Sequence, residues 1–155
     1  MITLKRATSE DKDFTGLVKL LDMELADRYG KLQSAYDEFN KINFTDKVVI
    51  AYYDNQPAGC GCFKKYDSMS VEIKRMFVKP EFRGKGISKL ILVELENWAR
   101  EKDYIYSILE TGSNQPEAVG LYKKSGYIVT ENYGPYVNMN ESICFKKYLA
   151  YYKYI

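Results

Sequence analysis

Apolar residues recur along this chain at two spacings, and each change of spacing marks a new element. Ile2 to Ala7 alternates as a strand does. Phe14, Leu17, Val18, Leu21 and Leu25 then fall at helical spacing, with Thr8 or Ser9 as the cap and Gly30 as the stop. A second short helix is predicted over Ser34 to Ile42, with Tyr36, Phe39 and Ile42 as its apolar positions. Val48 to Tyr53 and Ala58 to Tyr66 read as strands joined by the turn Asp54-Asn-Gln-Pro57, and Met69 to Val78 as a third strand after Asp67-Ser68. Links this short require antiparallel pairing. The spacing then turns helical at Ile87, Leu90, Ile91, Leu95, Trp98 and Ala99, which predicts a helix from Gly86 to about Lys102. Tyr104 to Leu109 follows as a strand, and strand–helix–strand predicts a parallel neighbour. In Asn114-Gln-Pro-Glu-Ala a cap residue and a proline open one more helix, ended near Ser125 by Gly126. Tyr127 to Thr130 and Ser142 to Tyr148 are the last two strands, joined through the turn Tyr133-Gly-Pro-Tyr136.

Composition narrows what such a chain does. Its 155 residues are 46% apolar and 28% charged, enough for one domain, 1–155, with a real core. The element order predicts an α/β (α+β) fold with a mixed, mostly antiparallel sheet and helices on both faces. The net charge of +2, from 23 basic and 21 acidic residues, argues against a nucleic-acid partner and leaves only local clusters such as Lys79, Arg83, Lys85 and Lys89. Histidine is absent, which removes the commonest metal ligand and the commonest general base together. No metal site is expected, and Ser-His or Cys-His catalysis is excluded. Cys60, Cys62 and Cys144 form an odd set with no signal peptide, as expected of reduced thiols in a cytoplasmic protein. Alternation puts Cys60 and Cys62 on one strand face, where packing is preferred to a redox role. No apolar run approaches the roughly 20 residues of a membrane span, so no membrane partner is expected.

The densest chemistry lies in Val78-Lys-Pro-Glu-Phe-Arg-Gly-Lys-Gly-Ile-Ser88. A strand ends there in a basic, glycine-containing turn from which a helix starts. Backbone N–H groups at a helix start, beside glycines and cations, suit phosphate oxygens. By itself the segment reads equally as a surface turn. No P-loop spacing and no dinucleotide fingerprint are present.

The run from Val78 to Ser88 resembles the acetyl-CoA-binding motif of the GNAT N-acetyltransferase superfamily, Arg/Gln-x-x-Gly-x-Gly/Ala. Arg83 and Gly86 match it, and Ser88 replaces the last small residue. Ala118-x-x-Leu-Tyr122-x-Lys124-x-Gly-Tyr127 resembles the second signature of that superfamily, with Gln115 where asparagine is usual and Asn114 beside it. The element order agrees with the GNAT fold over nearly the whole chain. By this resemblance the amides of Gly84, Lys85, Gly86, Ile87 and Ser88 hold the pyrophosphate of acetyl-CoA, and Arg83, Lys85 and Lys89 are the candidates to add charge. The backbone of Phe77 and Val78 lies along the pantetheine arm or polarises the acetyl carbonyl. Asn114, Ala118 and Lys124 join the cofactor site on the same ground.

Tyr122 is then the general acid for the thiolate leaving group, since a phenol with a pKa near ~10 is a fitting donor. Without the resemblance it reads as a core tyrosine. Glu72 is the candidate base for the attacking amine; its structural reading is a pair with Lys74 on the same strand face. Glu110 is a second base candidate. Lys74 and Arg75 are candidates for an acceptor carboxylate or phosphonate, and Tyr133, Tyr136, Tyr29 and Tyr36 for the acceptor pocket, each with a packing alternative. The expected activity is acetyl transfer from acetyl-CoA to a primary amine of a small molecule, by direct attack in a ternary complex. A ping-pong route through Cys60 or Cys62 is the mechanistic rival. Acetylation of a protein lysine or N-terminus, or sensing of CoA without turnover, are the functional ones. The expected assembly is a monomer or a homodimer.

Overall fold

The computed structural model describes residues 1–30 and 44–149; the helix expected over Ser34 to Ile42, with Tyr36, lies outside the described residues. The elements run β1 (Ile2–Ala7), α1 (Lys12–Tyr29), β2 (Val48–Tyr53), β3 (Gln56–Lys65), β4 (Ser70–Val78), α2 (Ile87–Glu101), β5 (Tyr106–Gly112), α3 (Pro116–Lys124), β6 (Ile128–Thr130) and β7 (Ser142–Tyr148). Short 3₁₀ turns occupy Pro80–Phe82 and Gly134–Tyr136. The seven strands form one sheet in the order β1-β2-β3-β4-β5-β7-β6. Pairing is antiparallel for β1–β2, β2–β3, β5–β7 and β6–β7, and parallel for β4–β5. This is the mixed, mostly antiparallel architecture that the element order predicts.

Local chemistry sets the boundaries, in places differently from expectation. Asp11, not Thr8 or Ser9, caps α1: its carboxylate accepts from Asp13 N at 2.8 Å and Phe14 N at 3.4 Å. Ser9 is committed elsewhere, its Oγ accepting from Thr45 N at 3.0 Å. A charged cap also suits the positive end of the helix dipole. The β2–β3 turn is tighter than Asp54 to Pro57. Asp54 and Asn55 alone turn the chain with φ of 47° and 70°, a left-handed pair that suits a two-residue hairpin. Pro57 falls instead within β3, at the register shift beside Ala51 and Tyr52, where a missing N–H is tolerated. At α3 the cap position is Gln115, which makes no side-chain cap bond, and Pro116 presets the first turn.

The chain divides into two compact units, Met1–Phe63 with Lys74–Leu95 and Lys64–Ile73 with Glu96–Ile155. In the first, the pairs Val48↔Cys62 and Ile50↔Cys60 put four apolar side chains on one face. Phe14, Leu17, Leu21 and Leu25 of α1 cover them, together with Phe77. Each such burial contributes on the order of 2 kcal/mol. On the other face, Gly59 and Gly61 let α2 come close: a Cβ at Gly59 would stand 3.2 Å from Ile91 Cδ1, and one at Gly61 3.0 Å from Leu95 Cδ1.

In the second unit β5 is the central strand. Its register with β4 and β7 builds the rows Glu72–Ile108–Lys146 and Ile73–Leu109–Phe145, followed by the pair Glu110–Cys144. Alternation then places Glu72, Glu110 and Cys144 on one face and Phe145 on the other. The Phe145 face carries a buried polar network: Ser107 Oγ and Tyr127 Oη are 2.7 Å apart, and Lys147 Nζ is 3.1 Å from both oxygens of Glu96.

Candidate active site

The basic turn lies wholly in the first unit. Gly84 and Gly86 have φ of 80° and 77°, and a Cβ on either would meet nothing within 4 Å. Glycine is therefore required by the backbone rather than by crowding, and the surface above the turn is open. The first helical bond of α2 runs from Leu90 N to Gly86 O at 3.2 Å. The N–H groups before Leu90 have no carbonyl of their own helix to bond. Lys85 and Lys89 are exposed, and Lys85 Nζ lies 5.1 Å over the Tyr53 ring. This set fits an anionic phosphate.

Two of the candidate cations have partners within the chain. The Arg83 guanidinium is turned onto Glu24 of α1, with Nη2 at 2.8 and 3.0 Å from its oxygens, while Nε donates to the Val78 carbonyl at 2.9 Å. Its charge is already partnered, and one face of Val78 is occupied. Arg75 is likewise bound, Nη1 to Asp22 at 2.6 Å, which ties it to α1. Arg75 has φ of 60°, a strained position for a residue with a Cβ, within β4. The parallel ladder of β4 with β5 ends shortly before it, at Ile73↔Leu109.

Glu72, Tyr122, Glu110 and Tyr133 all belong to the second unit. Glu72 is 6% exposed and accepts from Tyr133 Oη at 2.7 Å, a partner that strand alternation did not suggest. Tyr133 itself stands edge-on to Tyr66 and Tyr136, with ring centroids 5.2 and 5.7 Å away. Burial, then the neighbouring Glu72 charge, push the Tyr133 phenol far above its ordinary range. Tyr136, 1% exposed, is core rather than pocket lining. Tyr29 packs against the α1 core.

Tyr122, 5% exposed on α3, lies against Tyr127 and Phe145 at 5.8 and 5.9 Å. It therefore sits on the Phe145 face, opposite the face that carries Glu72. Burial, then the charge of Glu110, raise its pKa, so the phenol stays protonated at neutral pH. Glu110 accepts from Ser142 Oγ at 2.7 Å. Asn114 and Lys124 are exposed at the two ends of α3, and Ala118 is half-buried within it.

The cysteines are packed. Cys60 and Cys62 are buried, their Sγ atoms 3.4 Å from the carbonyls of Arg75 and Lys74. Burial drives the Cys60 thiol far up, and Cys144 is pushed up to about 11, chiefly by burial. Among the described residues no group of histidine, cysteine or carboxylate side chains is placed to hold a metal. No helix among them is long and apolar enough to cross a membrane.

Comparison with known proteins gives one consistent answer. The sequence pattern of the acetyltransferase (GNAT) family matches residues 16–127. An IAA acetyltransferase of Azospirillum brasilense is 28% identical over 137 residues, covering 87% of this chain and 90% of that protein. An uncharacterised N-acetyltransferase of Dictyostelium discoideum is 42% identical over 71 residues, a match spanning 46% of this chain but only 32% of that longer protein. Among solved structures, a Klebsiella pneumoniae protein assigned to the acyl-CoA N-acyltransferases superposes with a TM-score of 0.76 at 26% identity, over 96% of this chain and 98% of that one. A GNAT family acetyltransferase of Elizabethkingia anophelis, solved with acetyl-CoA bound, superposes at 0.67 and 23% identity, over 96% and 98%.

Proposed function

The chain belongs to the acetyltransferase (GNAT) family, and from that premise we propose that residues 1–155 act as one domain transferring an acetyl group from acetyl-CoA to a primary amine of a small molecule, by direct attack. Acetyl-CoA supplies an acetyl group activated as a thioester. The turn from Gly84 to Ser88 holds the pyrophosphate through backbone N–H groups, with Lys85 and Lys89 adding charge. Glu72 takes the proton lost by the attacking amine, and Tyr122 gives one to the departing thiolate. Phe77, Asn114, Ala118 and Lys124 keep their assignment to the cofactor by family resemblance.

The observation that carries this reading is a buried carboxyl group held by a tyrosine, Glu72, together with a buried tyrosine that stays protonated, Tyr122. Tyr133 donates to Glu72 at 2.7 Å, which fixes where that buried carboxyl group points. Burial keeps Tyr122 protonated, the form an acid requires. Base and acid serve different atoms, the incoming nitrogen and the leaving sulfur, so the two tasks fall to two residues. Direct transfer is favoured over a cysteine route because Cys60 and Cys62 are buried and Cys60 is held as the thiol.

Thiol release from acetyl-CoA, followed across a panel of small primary amines and of peptides, tests the reading. Turnover with one or more small amines is expected. Turnover with peptides alone would replace it with protein acetylation, and tight acetyl-CoA binding without turnover would replace it with sensing. A burst of CoA released without acceptor, and lost in Cys60→Ala or Cys62→Ala, would overturn the direct route.

A further inference from the structure

The cation that opens the phosphate turn is held from three sides. Arg83 Nε donates to Val78 O, Nη2 spans both oxygens of Glu24, and the guanidinium carbon lies 5.8 Å from the Phe77 ring centroid. Nε and Nη2 are both engaged, and the two oxygens of Glu24 share the Nη2 group. Helix α1 thus grips this stretch twice, through Asp22 on Arg75 at the end of the parallel ladder and through Glu24 on Arg83. Glu24 also faces Arg28 at 3.7 Å, one turn further along α1. Between Arg83 and α2 the chain passes through two glycines, both left-handed and both in open space. Glycines have the most backbone freedom to lose, so such a turn keeps a fixed shape only if its ends are tied.

We propose that Glu24 is a positioning residue for acetyl-CoA: through Arg83 it straps the phosphate turn to α1 and to the end of β4. Arg83 then serves the cofactor by fixing the turn's N–H groups, while Lys85 and Lys89 face the phosphates. The inference rests on the acetyl-CoA reading of the turn. The competing role, in which Arg83 leaves Glu24 to bind phosphate itself, predicts the opposite sign for one substitution. By Coulomb's law a carboxylate beside an anion site weakens anion binding, so Glu24→Gln would tighten acetyl-CoA if Arg83 were a phosphate ligand. If Glu24 is a strap, Glu24→Gln weakens it.

Calorimetric titration of the full chain with acetyl-CoA tests this. For Glu24→Gln and for Arg83→Gln, Kd should rise about three- to tenfold each, and the double variant should be no worse than either. The swapped pair Glu24→Arg with Arg83→Glu should recover most of the affinity and covers the case in which a single variant folds poorly. Lys85→Ala should weaken binding additively with Glu24→Gln. Tighter or unchanged binding in Glu24→Gln, additive losses in the double variant, or a swapped pair without recovery would each overturn the strap. Failure of the unsubstituted chain to bind acetyl-CoA would instead remove the acetyl-CoA reading, and the strap with it.

Discussion

The roles proposed for Tyr122 and Glu72 rest on their surroundings. Fifteen tyrosines stand in the chain, and Tyr122 is singled out by its place in a family signature and by burial that keeps it protonated. Replacing it by phenylalanine removes one hydroxyl and leaves the packing against Tyr127 and Phe145 intact. For Tyr122→Phe, kcat should fall about 10²–10⁴-fold while calorimetric acetyl-CoA affinity persists; an unchanged kcat would take Tyr122 out of the mechanism. Glu72 could be named from the sequence because of its place on the strand before the turn. Its partner could not, since Tyr133 stands 61 residues away and meets it only in the folded chain. Tyr133→Phe should lower kcat by roughly tenfold, the scale of one lost hydrogen bond to a charged group. In a Glu72→Gln background the same change should cost nothing further; an equal loss there would separate the two residues.

The elements were readable wherever a single period ran long enough. β2 and β7 occupy the residues that alternation assigns to them, and α2 lies within one residue of its expected span. The errors fall where another part of the chain claims a residue. Ser9 was lost as a cap because Thr45 binds it, and the left-handed Arg75 carries no mark in a sequence that has no glycine there. The approach of α2 to the sheet is set by glycines that periodicity ignores. A Cβ at Gly59 would stand 2.8 Å from the Phe77 carbonyl oxygen, a backbone atom that cannot step aside. Gly59→Ala should therefore cost about 1–3 kcal/mol in urea denaturation; a change within a few tenths of a kcal/mol, on the other hand, would mean that β3 and β4 shift freely.

At the scale of the whole molecule, the absence of histidine removes the usual titration near neutrality and leaves an alkaline one. Burial is the leading cause that raises the phenols of Tyr122, Tyr127 and Tyr133 above their ordinary range. In the unfolded chain these groups lose their protons near pH ~10, whereas the folded protein retains them. Above that pH the unfolded state binds fewer protons than the folded state, so stability falls as pH rises. Below it, their contribution is fully present. The urea midpoint should be lower at pH 10.5 than at pH 8, and equal midpoints would show that these phenols are not buried in solution.

Read from the sequence alone were the class of fold, the three helices among the described residues, the basic turn at Arg83 to Ser88 and the candidate Tyr122. These follow from hydrophobic period and from short motifs, which are local properties of a chain. It took the folded chain to show that Glu24 holds Arg83, that Asp22 holds Arg75, that Tyr133 holds Glu72, and that Tyr122 and Glu72 occupy opposite faces. Each of those pairings joins residues 53 to 61 positions apart, or depends on strand register. The charge of a side chain is written in the sequence, but its partner is chosen by the fold.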